Sequence, residues 1–432
     1  MSFQTIKGTF DILPDGATTA GAHAYGSAAW RHVEGVVRDV MARFHVREIR
    51  TPVFEPTALV ARGVGGSTDI VQKEMFAFTR GDTDYVLRPE VTAPVMRSYL
   101  QLHLQQMGGT QRLFFIGPCF RAEEPQKGRD RQFHQFGVEF IGTPSPLADA
   151  ECIALMLAVY DALGITGHTL RLNTLGDPAA RRAYVDALRQ YLEPHTADLT
   201  ETSQQRLQTN PLRILDTKDE REQAILAAAP RLPEMVSDPS KAHYAEVKAR
   251  LGDLGIAYVE DPALVRGLDY YTETAFELVS GDLGAQSALG GGGRYDGLAE
   301  AVGSSQTVPA VGFASGFERL FLALDAQGIA LPDPAPLTAF LVALGDEAQA
   351  WAFQTAYALR DRGVRTALDL KGRSMKAQMK EANRQAARYA VIVGKDELDQ
   401  GVVQLRDLAA SDQREVAAAD LADVLAAAQD EG

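Results

Sequence analysis

A chain of 432 residues, 46% of them hydrophobic and 23% charged, is long enough for two or three domains and has the composition of a soluble globular protein. No apolar run approaches the ~20 residues of a membrane span, no basic-then-apolar leader opens the chain, and Cys119 and Cys152 occur without CxxC or HExxH, so neither a disulfide framework nor a familiar zinc site is indicated and a reducing cytoplasm is expected. The net charge of −14 argues mildly against nucleic acid, whose phosphates attract basic surfaces, unless the mean conceals a local basic patch.

In chain order, the first strand-like run is "REIRTPVF", Arg47 to Phe54. "LRPEVTAP", Leu87 to Pro94, then places Glu90 and Thr92 two apart, side by side if the backbone is extended. "QRLFFIGPCFR" and "RQFHQFGVEFIG" read as two strands. Along the second, Arg131, Phe133, Gln135, Gly137 and Glu139 share one face; Gln132, His134, Phe136, Val138 and Phe140 share the other. The latter set ends in three apolar residues and is expected against the core. Gln135 and Glu139 then point away from it, with Gly137 between them leaving room for something to lie across the sheet. By pattern alone that face meets either a small polar ligand or water. The connection from Ala122 to Asp130 is longer than a tight hairpin needs, and long ordered loops are more often functional than short ones.

Between about Gly176 and Asp253 the strands vanish, and a helical subdomain inserted at 176–253 is expected. "LVRGLDYYTETAF" next sets Arg266 beside a glycine and two tyrosines. "ALGGGGRYDGL" carries the successive glycines Gly290 to Gly293, which serve either close approach of a ligand to backbone or a buried turn. It matches neither GxGxxG nor GxxxxGK[ST]. "VPAVGFASGFERLFLAL" reads as a strand, a glycine turn and a helix whose first turns bear Glu318 and Arg319. An arginine there calls for an anion such as a triphosphate, or for a neighbouring acid. Strands among helices without a βαβ rhythm point to an α+β domain around an antiparallel sheet over residues 1–330.

The prolines of "LPDPAPLTAF" mark a linker at 331–336. Beyond it, residues 337–432 alternate strands and helices, as in a small α/β domain with a mixed or parallel sheet, and the alanine-rich tail after Glu415 reads as a helix. Within this part "KGRSMKAQMKEANRQAAR", Lys371 to Arg388, has six basic residues and a single acid, Glu381. Arg373, Lys376, Lys380, Arg384 and Arg388 step by three or four and would share one helix face, either solvated or turned to a polyanion.

Together these stretches resemble the histidyl-tRNA synthetase family of class II aminoacyl-tRNA synthetases. The resemblance runs from "KGTFDILP" and "STDIVQKEMFAF" through three class II motifs: "REIRTPVFEP", "FRAEEPQKGRDRQFHQFGVEF" and "GFASGFERL". "LVRGLDYY" and "LGGGGRYDGL" are similar to the family's two histidine signatures, "NPLRILDTKDE" to its insertion domain, and the segment from Gly372 to Leu398 to its anticodon-binding domain. The resemblance implies the class II fold, a homodimer with Pro52 at the interface, and no membrane. It implies ATP, magnesium, L-histidine and histidine tRNA as substrates and partners. Histidine's carboxylate would attack the α-phosphate of ATP, and the histidyl group would then pass to the terminal adenosine of the tRNA. Arg121 and Arg266 would be the catalytic arginines on the α-phosphate, Arg319 would hold the γ-phosphate, and Glu123 would lie near the adenine. Glu90, Thr92 and Gln135 would bind the α-amino group. Glu139 and Tyr271 would meet the imidazole, with Tyr270 and Tyr295 lining its pocket.

For the tRNA, the resemblance implies Gln126, Arg129 and Arg131 at the acceptor end and Arg373, Lys376 and Lys380 near the anticodon arm. Where the family's second motif usually has a second arginine and a tyrosine, this chain has Glu124 and Asp130. Negative charge there is expected to weaken recognition of the extra 5′ nucleotide of histidine tRNA. The rivals are a regulatory relative that activates ATP phosphoribosyltransferase and a histidine sensor that charges no tRNA. The first usually lacks several of these arginines and the C-terminal domain.

Overall fold

The structure is a computed structural model that describes residues 3–16, 24–66, 68–215, 217–265, 268–286, 288–332 and 336–430. They fall into two compact units, Met1–Leu331 and Pro332–Gly432. Half of the expected linker, 333–335, lies outside the described residues. Among the described residues no helix is long and apolar enough to cross a membrane.

The first unit is built on an eight-stranded sheet in the order Arg47–Glu48, Gln111–Phe120, Gln132–Ile141, Ala310–Gly316, Ala288–Arg294, Thr272–Ser280, His168–Thr174 and Val259–Glu260. The six inner strands pair antiparallel, as expected, and the two short edge strands run parallel to their neighbours. Strand alternation sorts side chains between two cores. On one face Phe136, Val138 and Phe140 are buried with Phe276, Leu278 and Val311 beneath the helices Ser27–Arg43, Pro146–Ala162 and Phe317–Ala326. On the other, Leu113, Phe115 and Ala275 join Val95, Met96 and Tyr99 of the helix Thr92–Gln101.

Among the described residues no strand falls between Thr174 and Val259. The helix Pro178–Leu192 starts where Asp177 accepts the N–H groups of Ala179 and Ala180, with Pro178 in the first turn, where its missing donor costs nothing. Its Tyr184, Leu188 and Leu192 extend the second core, together with Leu207, Leu212 and Leu232 of the following turns. The last helix of the stretch, Asp238–Asp253, buries Tyr244, Val247 and Leu251 in the first core instead. The helical layer over the second core therefore ends before it.

The second unit has a five-stranded sheet in the order Thr366–Leu368, Ala339–Ala343, Tyr389–Val393, Val402–Asp407 and Gln413–Ala417. The first two pairings are parallel and the last two antiparallel. "GKDEL" turns into the helix Lys395–Gln400, and the alanine-rich tail gives its first residues to a strand before the helix Leu421–Asp430. The basic helix spans only Met375–Arg384 and ends at Ala386, whose φ of 50° cannot continue it. The five-residue basic face is thereby broken. Arg373 precedes the helix and is held by Asp369 at 2.6 Å, Arg388 follows it and donates to the Ala428 carbonyl at 2.7 Å, and Arg384 pairs with Glu381. Lys376 and Lys380 stay exposed on the helix.

Candidate active site

The sheet face that carries Gln135 opens into a cleft of ≈ 630 Å³, which shares Arg121, Gln135 and Gly291 with a smaller pocket of ≈ 100 Å³. Glu90, Thr92, Gln135, Tyr270, Tyr271 and Tyr295 all line the smaller pocket, so residues expected for the histidine site and drawn from four separate stretches of sequence meet in one place. Glu90 is buried and accepts the backbone N–H groups of Thr92 at 2.7 Å and Ala93 at 3.0 Å, which fixes it at the head of the helix Thr92–Gln101. Burial raises its pKa, against the lowering effect of those two N–H groups.

Glu139 stands behind the pocket wall. Its carboxyl accepts the Thr92 hydroxyl at 2.7 Å and the Tyr295 hydroxyl, and both of these side chains line the pocket. With 1% exposure, burial pushes the Glu139 carboxyl up to about 8. The Tyr270 ring centroid lies 4.7 Å from that of Tyr271 and 5.6 Å from that of Tyr295. The result is an aromatic wall with one ammonium-type acceptor, Glu90, and one acid held by hydroxyls.

The expected gap above Gly137 is absent. Phe115 on the neighbouring strand is the direct partner of Gly137, and its ring occupies the space a Cβ would take. Gly137 makes room for the second core, and the ligand space opens instead over Gly291, Gly312 and Ala314. Gly312 is the tight position, because a Cβ there would collide with the Glu139 carboxylate. Gly312→Ala is expected to lower stability by about 1–3 kcal/mol by overpacking. It should also weaken binding of the pocket's amino acid, as denaturant unfolding and exchange kinetics on the same preparation would reveal.

The larger cleft is cationic on one wall. Arg121 closes the strand Gln111–Phe120, its N–H bonded to the Arg131 carbonyl at 2.8 Å and its guanidinium 5.2 Å from the Phe133 ring centroid. Arg319, in the first turn of the helix Phe317–Ala326, donates to the carbonyls of Ala288 at 2.8 Å and Gly128 at 3.3 Å. It forms no ion pair among the described residues. Burial, and then the like charges of Arg129 and Arg121, lower its pKa. Its neighbour Glu318 turns the other way and accepts the His134 N–H at 2.9 Å. Arg121 and Arg319 thus bring positive charge to a cleft whose lining also carries carboxylates, Glu123 and Glu277 among them.

Arg129 belongs to this wall. A tight turn at Lys127 and Gly128, with Gln126 and Arg129 paired through both backbone groups, folds it back into the cleft, where it binds Glu123 at 3.2 Å. Arg131 braces the chain start: its N–H bonds the Gly8 carbonyl at 2.7 Å, and Gly8, at φ +85°, leaves space for the Arg131 side chain. Asp130 is buried and lines the cleft, so it adds no charge to the outer surface, while exposed Glu124 pairs with Lys7 at 3.1 Å. The negative patch expected at the acceptor end is thus reduced to one partly neutralised carboxylate. Arg266 lies outside the described residues. The pattern reading passed over Glu277, which faces the cleft opposite Gly291. Its place in the alternation of "TETAFELVS", out of phase with Phe276 and Leu278, was the available signal.

Comparison with known proteins places this geometry. A family model for histidyl-tRNA synthetase matches residues 21–320, and one for an anticodon binding domain matches residues 338–428. A histidine--tRNA ligase of Chloroherpeton thalassium is 51% identical over 425 residues, 98% of this chain and 97% of the relative. One from Chlorobium phaeobacteroides is 48% identical over 95% of this chain and 93% of the relative. The crystal structure of apo S. aureus histidyl-tRNA synthetase superposes with a TM-score of 0.81 at 36% identity, covering 98% of this chain and all of that one. The chain belongs to the histidyl-tRNA synthetase family.

Proposed function

We propose that this chain joins histidine to its tRNA through a histidyl-adenylate, with the small pocket holding the amino acid and the cationic cleft holding ATP. One observation carries this reading: a pocket built from Glu90, hydroxyls and tyrosines opens beside Arg121 into a cleft edged by Arg129 and Arg319. Arg121 lines both, and so stands where an amino-acid carboxylate and an α-phosphate would meet.

The chemical step needs no protein nucleophile, because the histidine carboxylate is one already. It needs alignment and fixed positive charge around phosphorus as the pyrophosphate leaves. Arg121 supplies that charge from the pocket side, and Arg266 is assigned the opposite side by its place in the family signature. Arg319 lies further along the cleft, toward the terminal phosphate. Glu123, fixed by Arg129, is assigned to the adenine end. Among the described residues no cluster of three His, Cys, Asp or Glu side chains could hold a metal by itself. Magnesium therefore fits as a companion of the triphosphate, with phosphate oxygens and water as most of its shell and Glu277 as the wall carboxylate that would complete it. When bound it would neutralise the leaving pyrophosphate.

The second unit is the tRNA-reading part, with Lys376 and Lys380 toward the anticodon arm, and the working form is a homodimer. The test is histidine-dependent ATP–pyrophosphate exchange followed by charging of histidine tRNA. Both activities are expected. Exchange without charging would favour the sensor, and the absence of both would favour the regulatory relative.

A further inference from the structure

Arg181 lies in the first turns of the helix Pro178–Leu192 and reaches toward the segment that carries the pocket's tyrosines. Its Nη1 donates to the carbonyl of Asp269 at 2.7 Å and to that of Tyr271 at 3.1 Å, so one guanidinium spans the backbone on both sides of Tyr270. The same helical layer makes a second contact, in which Asn210 Nδ2 donates to Asp269 Oδ1 at 3.1 Å. From the other side the Asp269 N–H donates to the Val64 carbonyl at 3.1 Å. Gly65, at φ +102°, runs so close that a Cβ would lie 2.6 Å from the Asp269 carboxylate. Asp269 is thus a junction between the helical layer, the turn after Val64 and the pocket.

A partly buried guanidinium is costly to desolvate, and that burial lowers the pKa of this one, against the raising effect of the Asp269 carboxylate. Ala180, Tyr184 and Leu188 already anchor the helix in the core, so the guanidinium answers to its polar partners, the Asp269 carboxylate among them. What the guanidinium adds is one nitrogen, Nη1, that ties the two carbonyls together, with Nη2 3.9 Å from the Asp269 carboxylate. Tyr270 and Tyr271 are the side chains those carbonyls flank, and both line the amino-acid pocket.

We propose that Arg181 is a positioning residue for the amino-acid substrate: it clamps Asp269 to Tyr271 so that the two tyrosine rings hold their places in the pocket, and with Asn210 it makes the seating of the helical layer a determinant of amino-acid binding. The inference rests on assigning the small pocket to histidine.

The test uses the full chain with Arg181→Ala, Arg181→Lys and Asn210→Ala, each assayed by pyrophosphate exchange below its measured melting temperature. Loss of a charged hydrogen-bonding clamp should raise the histidine KM by about tenfold or more in Arg181→Ala, with a smaller rise in Asn210→Ala. Lysine keeps the charge but puts a single flexible ammonium in place of the rigid plane that holds Nη1 on the two carbonyls and Nη2 beside the Asp269 carboxylate, and should restore only part of the loss. The ATP KM should stay near the parent value in all three. If Arg181→Ala does not fold, the lysine and Asn210 variants carry the comparison. Histidine and ATP KM values rising in parallel, or an unchanged histidine KM in every folded variant, would overturn the clamp. Exchange by the parent chain with a different amino acid would overturn the pocket assignment alone, and the clamp would then be judged on the KM for that amino acid.

Discussion

Arg121→Met is expected to cut the maximal rate of pyrophosphate exchange by about 10²–10³, the usual loss when one preorganised charge is removed from a reacting centre. The KM for ATP should change little. The reason lies in where Arg121 stands. It lines both the pocket and the cleft, so it faces the atom at which charge builds up as the carboxylate attacks, and an interaction that grows in the transition state appears in kcat. Arg319→Met should do the opposite. Arg319 sits between the Gly128 and Ala288 carbonyls, where, on the proposed function, a terminal phosphate would be bound equally before and during the reaction. Losing such uniform binding raises the KM for ATP and leaves kcat nearer the parent value.

The contrast also has a stability arm. Burial and the like charges of Arg129 and Arg121 lower the pKa of Arg319, so the empty cleft carries repulsion that a bound triphosphate would relieve. Arg319→Met should therefore be at least as stable as the parent without nucleotide, yet gain less in melting temperature from ATP. Equal kcat losses in the two variants with unchanged KM values would remove the distinction between them. A normal rate in Arg121→Met would remove fixed positive charge as the source of catalysis.

How far the sequence carried this picture depended on whether the signal was local. The alternation that buries Phe136, Val138 and Phe140 is contained in five residues and is found as expected in the first core. The role of Gly137 was misjudged because it depends on register. Phe115 lies opposite it only once two strands are paired, and no single strand records its partner. The basic helix failed for a different reason. A repeat of three and four continues on paper through Arg388, while the backbone stops at Ala386 with a left-handed φ. Asp130 looked like a surface charge in a polar loop, yet the turn at Gly128 folds its neighbours into the cleft and buries it. Arg181 carried no pattern at all, and Asn210 stood in a quoted motif without a role, because Asp269, which both contact, is dozens of residues away. Residue type and spacing disclosed the pocket's walls, whereas what holds those walls in place came from tertiary contacts.

Glu139→Gln should separate stability from selection. The Glu139 carboxyl is pushed up to about 8, chiefly by burial, with the Tyr295 and Thr92 hydroxyls opposing the shift. In an unfolded chain the same group titrates at about 4.3. Between those values the folded, ligand-free protein holds a proton that the unfolded chain has released, so stability must fall as the pH rises. The favourable contribution is complete below the unfolded pKa and is lost by the time the pH passes about 8. Glutamine has the same shape and nothing to titrate. The melting temperature of Glu139→Gln relative to the parent should therefore climb from about pH 5 to about pH 8 and then level off. A difference that stays flat across that range would mean the carboxyl is ionised in the empty pocket. Activity should move the other way. Glutamine replaces one acceptor oxygen with a donor, leaving the Thr92 and Tyr295 hydroxyls, which line the pocket, competing for the single acceptor that remains. A site that selects by pairing buried polar groups loses heavily when one is mismatched, so kcat/KM for histidine should drop by about 10³. A variant both more stable at pH 8 and unimpaired with histidine would show that Glu139 is a buried structural acid with no part in choosing the substrate.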